Sequence, residues 1–207
     1  MLAIIFSIFG IILGASAEIN AFISSYGYTA LFILMTLENA SLPVPSEVVL
    51  PLAGLFVAKG ILSFPIALLV ILAGSMLGIA IDYYVAYFVG KDFVYKHLNT
   101  FRISERTVKD FEDWFVANGS FAVFVSRLIP VVRGLISFPA GFALMDKRKF
   151  FFYSFVGALI WDFLLMLFGY YALSVSNVSV LLTAIGIFAI VLYAIFHLAM
   201  RHIRKRR

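Results

Sequence analysis

Four ionisable residues sit where the surrounding sequence is almost wholly apolar: Glu38, Glu47, Arg127 and Arg133. A charged side chain at the centre of a bilayer costs about 2.5 to 3.5 kcal/mol on insertion scales, so four together are retained only around a function or a tight ion pair. The arginines carry planar guanidinium forks that match phosphate oxygens and stay charged at any accessible pH. Unpaired amides at a helix break and the N-termini of short helices add to a preference for anions. Phosphate is therefore the expected ligand of Arg127 and Arg133. The same arginines could instead neutralise Glu38 and Glu47 as structural ion pairs, and the two readings agree if the pairs open when substrate enters. Carboxylates cannot hold an anion, but in a poorly solvated cavity facing arginine they suit gating or carriage of protons, the role expected of Glu38 and Glu47. Asp82 and Asp162 could extend such a relay or hydrogen-bond a neighbouring segment. Trp161, Tyr83, Tyr84 and Tyr87 read as packing or interface residues. The chain has no cysteine, no HExxH pattern and no paired histidines, so neither a metal nor any other cofactor is expected.

The elements that must position these groups follow from composition and punctuation. With 63% hydrophobic and 13% charged residues, the 207-residue chain has more apolar surface than a soluble domain of its size could cover, which marks an all-α integral membrane protein. Residues 65–90 and 149–173 are each long enough to cross about 30 Å of hydrocarbon, and 178–200 form a third uninterrupted apolar run. Residues 28–60 and 119–145 are instead interrupted, by Pro43, Pro45 and Pro51 in one and by Pro130, Gly134 and Pro139 in the other. Proline lacks a donor and clashes with the preceding turn, so neither segment can be one continuous helix, and both read as re-entrant helical hairpins with irregular tips.

Leu42-Pro43-Val44 to Ala53-Gly54 aligns without a gap on Ile129-Pro130-Val131 to Ala140-Gly141, at an offset of 87 residues. The first copy is bracketed by the two acids and the second by the two arginines. Charge placement then orients the copies. If the basic C-terminal residues 201–207 are cytoplasmic, every lysine and arginine except Lys59, Arg127 and Arg133 falls on that side, as the positive-inside rule asks. Counting either broken segment as a full crossing would put a basic cluster on the wrong side. The expected layout is a single membrane domain over 1–207 with both termini cytoplasmic and about four full spans. It comprises a first hairpin-plus-span repeat at 28–90, a cytoplasmic amphipathic segment at 91–118, an inverted second repeat at 119–173, a last span at 178–200 and a basic tail at 201–207. Residues 1–17 end in Ala15-Ser16-Ala17, like a signal-peptidase site, but lack a charged n-region and read as a short first helix, with cleavage left open. Inverted repeats with broken helices mark transporters whose site lies near the midplane. The net charge of +5 is explained by membrane orientation, so no nucleic-acid partner is expected.

Glu38-Asn39, Leu42-Pro43, Pro45-Ser46-Glu47, Phe111-Glu112, Gly119, Ser126-Arg127-Leu128-Ile129-Pro130, Arg133 and Pro139-Ala140-Gly141 together resemble the DedA family, also called the SNARE-associated Golgi protein or VTT-domain superfamily. The resemblance runs from about residue 25 to 172. It implies a multi-pass protein of the cell membrane with two re-entrant loops, tied to recycling of polyprenyl-phosphate carriers, lipid scrambling and proton-motive-force homeostasis. It carries the family's first essential acid onto Glu38 and its two arginines onto Arg127 and Arg133. The second acid, an aspartate after Pro-Gly in the family, falls with a small gap on Glu47 after Ser46. The expected function is thus a flippase, not an enzyme, for an undecaprenyl-phosphate-type lipid coupled to protons. A phospholipid scramblase, a proton-coupled small-solute antiporter and a lipid phosphatase are its competitors, and the oligomeric state stays open, a homodimer included.

Overall fold

Glycine and proline decide where this helical chain turns. A computed structural model describes residues 17–101, 119–129, 132–143 and 145–172. The expectations for residues 1–16, 102–118, Pro130, the last span and the basic tail lie outside those residues. The described elements are α1 (17–26), α2 (Tyr28–Asn39), α3 (Ser46–Ala58), α4 (Phe64–Phe101), α5 (119–127), α6 (Val132–Leu135), α7 (Ser137–Phe142) and α8 (Lys147–Ala172). Gly27 separates α1 from α2 with φ 54°, in the left-handed region that costs a residue with a Cβ. α3 closes on Gly60, φ 72°: the Gly60 amide donates to the Val57 carbonyl and the Ile61 amide to that of Phe56, the Schellman pattern. At the other end of the chain Asp146 caps α8, its Oδ1 accepting from the Lys149 amide at 3.0 Å.

Two helices are long and apolar enough to cross a membrane, Phe64–Val89 and Lys147–Tyr171, within two residues of the runs read from sequence. No proline or turn follows the first of them, and α4 continues to Phe101 through the boundary expected at 90/91. Its 38 residues, at 1.5 Å each, reach about 57 Å, well beyond a hydrocarbon core.

α4 and α8 run antiparallel. Phe64 stacks edge-on against Phe163 and Tyr170, the Ser75 hydroxyl bonds Asp162, and Tyr83 lies parallel to Phe150 at 4.5 Å. The broken helix pairs occupy opposite ends of this scaffold. α2 and α3 bury Leu31, Met35, Val49 and Leu50 with Ile71, Trp161 and Met166, whereas α5 to α7 bury Val123, Ile136 and Ala140 with Ile79, Tyr83 and Phe150. Within each pair the two arms part company. α2 lies along α4 in a groove cut by Gly74 and Gly78, four residues apart, where a Cβ would strike the carbonyls of Phe32 and Thr36. α5 lies along α8 in the same way, Gly157 sitting under Arg127 and the Phe124 carbonyl. The second arms cross over: α3 packs on α8 and α7 on α4. The repeated Ala-Gly is what permits it, since Gly54 sits over the Met166–Tyr170 turn and Gly141 over the Tyr83–Tyr87 turn.

At Gly169 an added Cβ would meet the backbone of Pro51, which cannot step aside, whereas at Gly134 nothing lies within 4 Å. Gly169→Ala should therefore destabilise by about 1–3 kcal/mol, and Gly134→Ala by no more than a few tenths. Thermal unfolding of the two purified variants in detergent checks this contrast; equal melting temperatures would refute the α3–α8 crossing.

Candidate functional site

The two helix breaks meet between α4 and α8, and the charges meet with them. Glu38 is the penultimate residue of α2, and its Oε2 accepts from Arg133 Nη2 of α6 at 2.7 Å. The same oxygen accepts from Asn39 Nδ2 at 2.5 Å, and that amide nitrogen also donates to the Met35 carbonyl, which fixes the carboxylate to its own helix end. Both partners are nearly dry, with 6% of the Arg133 and 10% of the Glu38 side chain exposed. Arg133 keeps a second donor, Nη1, buried and without a hydrogen-bond partner among the described residues. The Trp161 ring of α8 lies under its guanidinium, 5.1 Å from centroid to Cζ.

Arg127 is held quite differently. Its Nη1 donates to the Arg133 carbonyl at 2.6 Å and its Nη2 to Ser137 Oγ at 2.8 Å, so both terminal nitrogens are used within its own segment. In an unbroken helix the Arg133 carbonyl would receive the amide of residue 137, and the guanidinium replaces that bond where α6 gives way to α7. Phe150 lies 6.0 Å from its Cζ. Arg127 is thus the clasp of the second tip, and Arg133 is the charge the clasp presents to the first.

The first tip is held at Ser41, whose φ of 58° is unusual for a residue other than glycine. Its hydroxyl lies 2.5 Å from Asp82 Oδ2 on α4 and 3.2 Å from the Gly134 carbonyl of the second tip. With one proton to give, it serves the nearer carboxylate and keeps the carbonyl within reach. Asp82 on α4 is thereby hydrogen-bonded to the residue at the first tip. Asp162 is fully buried, with Oδ2 accepting from Ser75 at 3.2 Å across the α4–α8 seam and Oδ1 without a partner among the described residues.

Glu47 stands apart, exposed in the first turn of α3 with no hydrogen bond or ion pair among the described residues. Pro43 lies exposed in the link after Ser41, and Pro45 directly precedes α3. Pro139 is the third residue of α7, where a missing N–H costs nothing. Sequence reasoning missed Asn39, Ser41, Ser137 and Trp161 as site residues. The signal that could have found the first three was a polar residue near a tip charge; Trp161 had none beyond packing.

A family model described as the VTT domain matches residues 44–171, covering α3 to the end of the second long apolar helix. Over 198 residues the chain is 36% identical to undecaprenyl phosphate transporter A of Staphylococcus aureus, which takes in 91% of this chain and 97% of that protein. It is 30% identical over 153 residues to the protein of the same name in Bacillus subtilis, 74% and 75% of the two chains. An alkaline phosphatase-like protein of Lactococcus lactis is 30% identical over 151 residues, 70% and 71%. No solved structure matches.

A buried ion pair is most costly when halved. Glu38→Ala, which strands Arg133 in a dry site, should lower stability by about 3–5 kcal/mol, while Glu38→Ala combined with Arg133→Ala should cost less than the two single losses added. A double-mutant cycle on unfolding in detergent reads the coupling, and additive losses would refute a direct pair.

Proposed function

The chain belongs to the VTT-domain (DedA) family, and from that premise we propose that it is a membrane transporter, not an enzyme, that carries a polyprenyl phosphate of the undecaprenyl type across the cell membrane, coupled to protons. One observation carries the reading: at the junction of the tips Arg133 offers a buried donor with no partner among the described residues, next to an ion pair that an anion can replace. A phosphate monoester is small, doubly acceptor-rich and attached to a tail that stays in lipid, so only its head needs shielding. Phosphate oxygens take both terminal nitrogens of Arg133, displacing Glu38. A carboxylate so released in a nearly dry cavity is poorly solvated and takes a proton, which links the lipid's movement to proton uptake. Arg127 adds positive charge behind the site and keeps the second tip folded; it reaches the phosphate only when its clasp on the tip opens. Glu47, exposed on α3, is the second acid of the coupling, and Asp82 and Asp162 support the two long helices around the path.

The broken pairs are read as re-entrant hairpins entering from opposite faces, with 28–90 and 119–173 as inverted repeats in a protein of about four spans and cytoplasmic termini. Their positions at opposite ends of antiparallel α4 and α8 favour this layout. Rocking of one hairpin then exposes Arg133 to one face or the other.

Purified protein in proteoliposomes should translocate undecaprenyl phosphate, and an imposed pH gradient should change the flux. Loss of charged hydrogen bonds worth about 1.5–3 kcal/mol predicts roughly ten- to hundredfold slower transport by folded Arg133→Ala, and loss of transport by Arg127→Ala. Wild-type rates in both variants would sink the phosphate role. Phospholipid movement independent of the gradient would identify a scramblase, movement of a soluble cation without lipid an antiporter, and release of inorganic phosphate a phosphatase.

A further inference from the structure

Arg133 is gripped in two ways that differ in what they leave free. Glu38 takes the guanidinium by its edge, through Nη2, and so competes for the same donors a phosphate needs. Trp161 meets it with a ring face, the Arg133 Cζ lying over the ring at 5.1 Å from its centroid. A π-face attracts a cation without accepting the in-plane N–H donors, so stacking and anion binding can coexist. Trp161 is itself only 2% exposed and belongs to α8, the scaffold helix, rather than to either tip. The grip therefore persists when the first tip, with Glu38, draws away from α6 and α8. Arg127 shows the contrast: its terminal nitrogens are consumed by its own hairpin, and the ring near it, Phe150, lies 6.0 Å away, at the limit of such contacts.

We propose that Trp161 is the positioning residue that keeps the Arg133 guanidinium aimed at the site when Glu38 lets go, so that the arginine meets an incoming phosphate already oriented. The inference rests on the phosphate reading of Arg133. An arginine freed from Glu38 without such a support would be spread over many rotamers, and ordering it again would weaken anion binding. The ring thus contributes to affinity without touching the ligand. Its contribution depends on electron density over the ring rather than on its volume.

That dependence supplies the test. The chain has two tryptophans, so Trp114→Phe leaves Trp161 alone for replacement by mono- to tetrafluorotryptophan, which drains the π-face at nearly constant shape. Binding of farnesyl phosphate to the detergent-solubilised protein should weaken step by step along the series, by about tenfold at its end, with the melting temperature unchanged. Trp161→Phe should retain part of the affinity and Trp161→Leu little. In the ligand-free protein the Arg133 guanidinium protons, assigned with Arg133→Lys, should show an upfield ring-current shift that Trp161→Leu removes. A flat fluorination series, or a ring-current shift that is absent, overturns the role of Trp161 while leaving phosphate binding by Arg133 intact. Undiminished farnesyl phosphate binding by Arg133→Ala would overturn the phosphate reading and this inference with it. The ring-current measurement needs no ligand, so the two failures are told apart.

Discussion

A guanidinium and a carboxylate that face each other almost without water organise everything around them. Arg133 and Glu38 come from opposite ends of the helical scaffold, and neither could be buried alone, because an isolated charge in such surroundings costs several kcal/mol. The neighbours make sense as supports of that pair. Asn39 ties the carboxylate to the end of α2, Arg127 replaces a lost helical bond so that α6 can turn and present Arg133, and Trp161 backs the guanidinium from α8. A desolvated pair is a weak source of net stability, yet it is a strong specifier of register, since any slip strands both charges. The pair is therefore better understood as what locates the tips than as what holds the fold together. The apolar clusters at the two ends of α4 and α8 do the latter.

The crossing of the second arms gives those clusters a mechanical consequence. Each broken pair leans its first arm on one long helix and its second on the other, through glycines that admit backbone within van der Waals contact of backbone. Neither broken pair can withdraw as a unit without sliding along both long helices. The polar contacts between the tips among the described residues are exchangeable: an ion pair, and a serine hydroxyl within reach of both a carboxylate and a carbonyl. Rigid backbone seams beside a small polar junction favour motion that begins at the tips, and that is where the Arg133 donor without a partner among the described residues lies.

Much of this arrangement could be read from residue types alone, and the limits are physical. The long helices are legible because hydrocarbon thickness sets their length, and the breaks because proline cannot continue a helix. Glu38 and Arg133 stand out because charge is expensive in apolar sequence, but that expense asks only for an opposite charge and does not choose between Arg127 and Arg133 as the partner of Glu38. Glu47 was read by the same cost, yet it lies exposed in the first turn of α3, where a carboxylate is stabilised by the helix N-terminus and needs no arginine. Trp161 was not legible as a site residue, because a tryptophan in a membrane helix has a sufficient explanation in packing and only its position under a guanidinium says otherwise. The exchange of arms was hidden for a related reason. The glycines that permit it, Gly54 and Gly141, are visible in the repeat, but a glycine states that something approaches closely without saying which helix does.

The two halves are alike where backbone must pass backbone and unlike where charge must meet charge. Ala53-Gly54 and Ala140-Gly141 are the same pair doing the same work, each seating a short helix on the other half's long one. Around them the first half carries acid and the second base. Had both halves carried the same sign, the meeting of the tips would bring like charges together in a dry space, and no arrangement of the helices could relieve it. Opposite signs turn that place into a closed pair with, among the described residues, a spare donor on the basic side. The pair comes from the asymmetry of the charges, and the place where it forms from the symmetry of the helices.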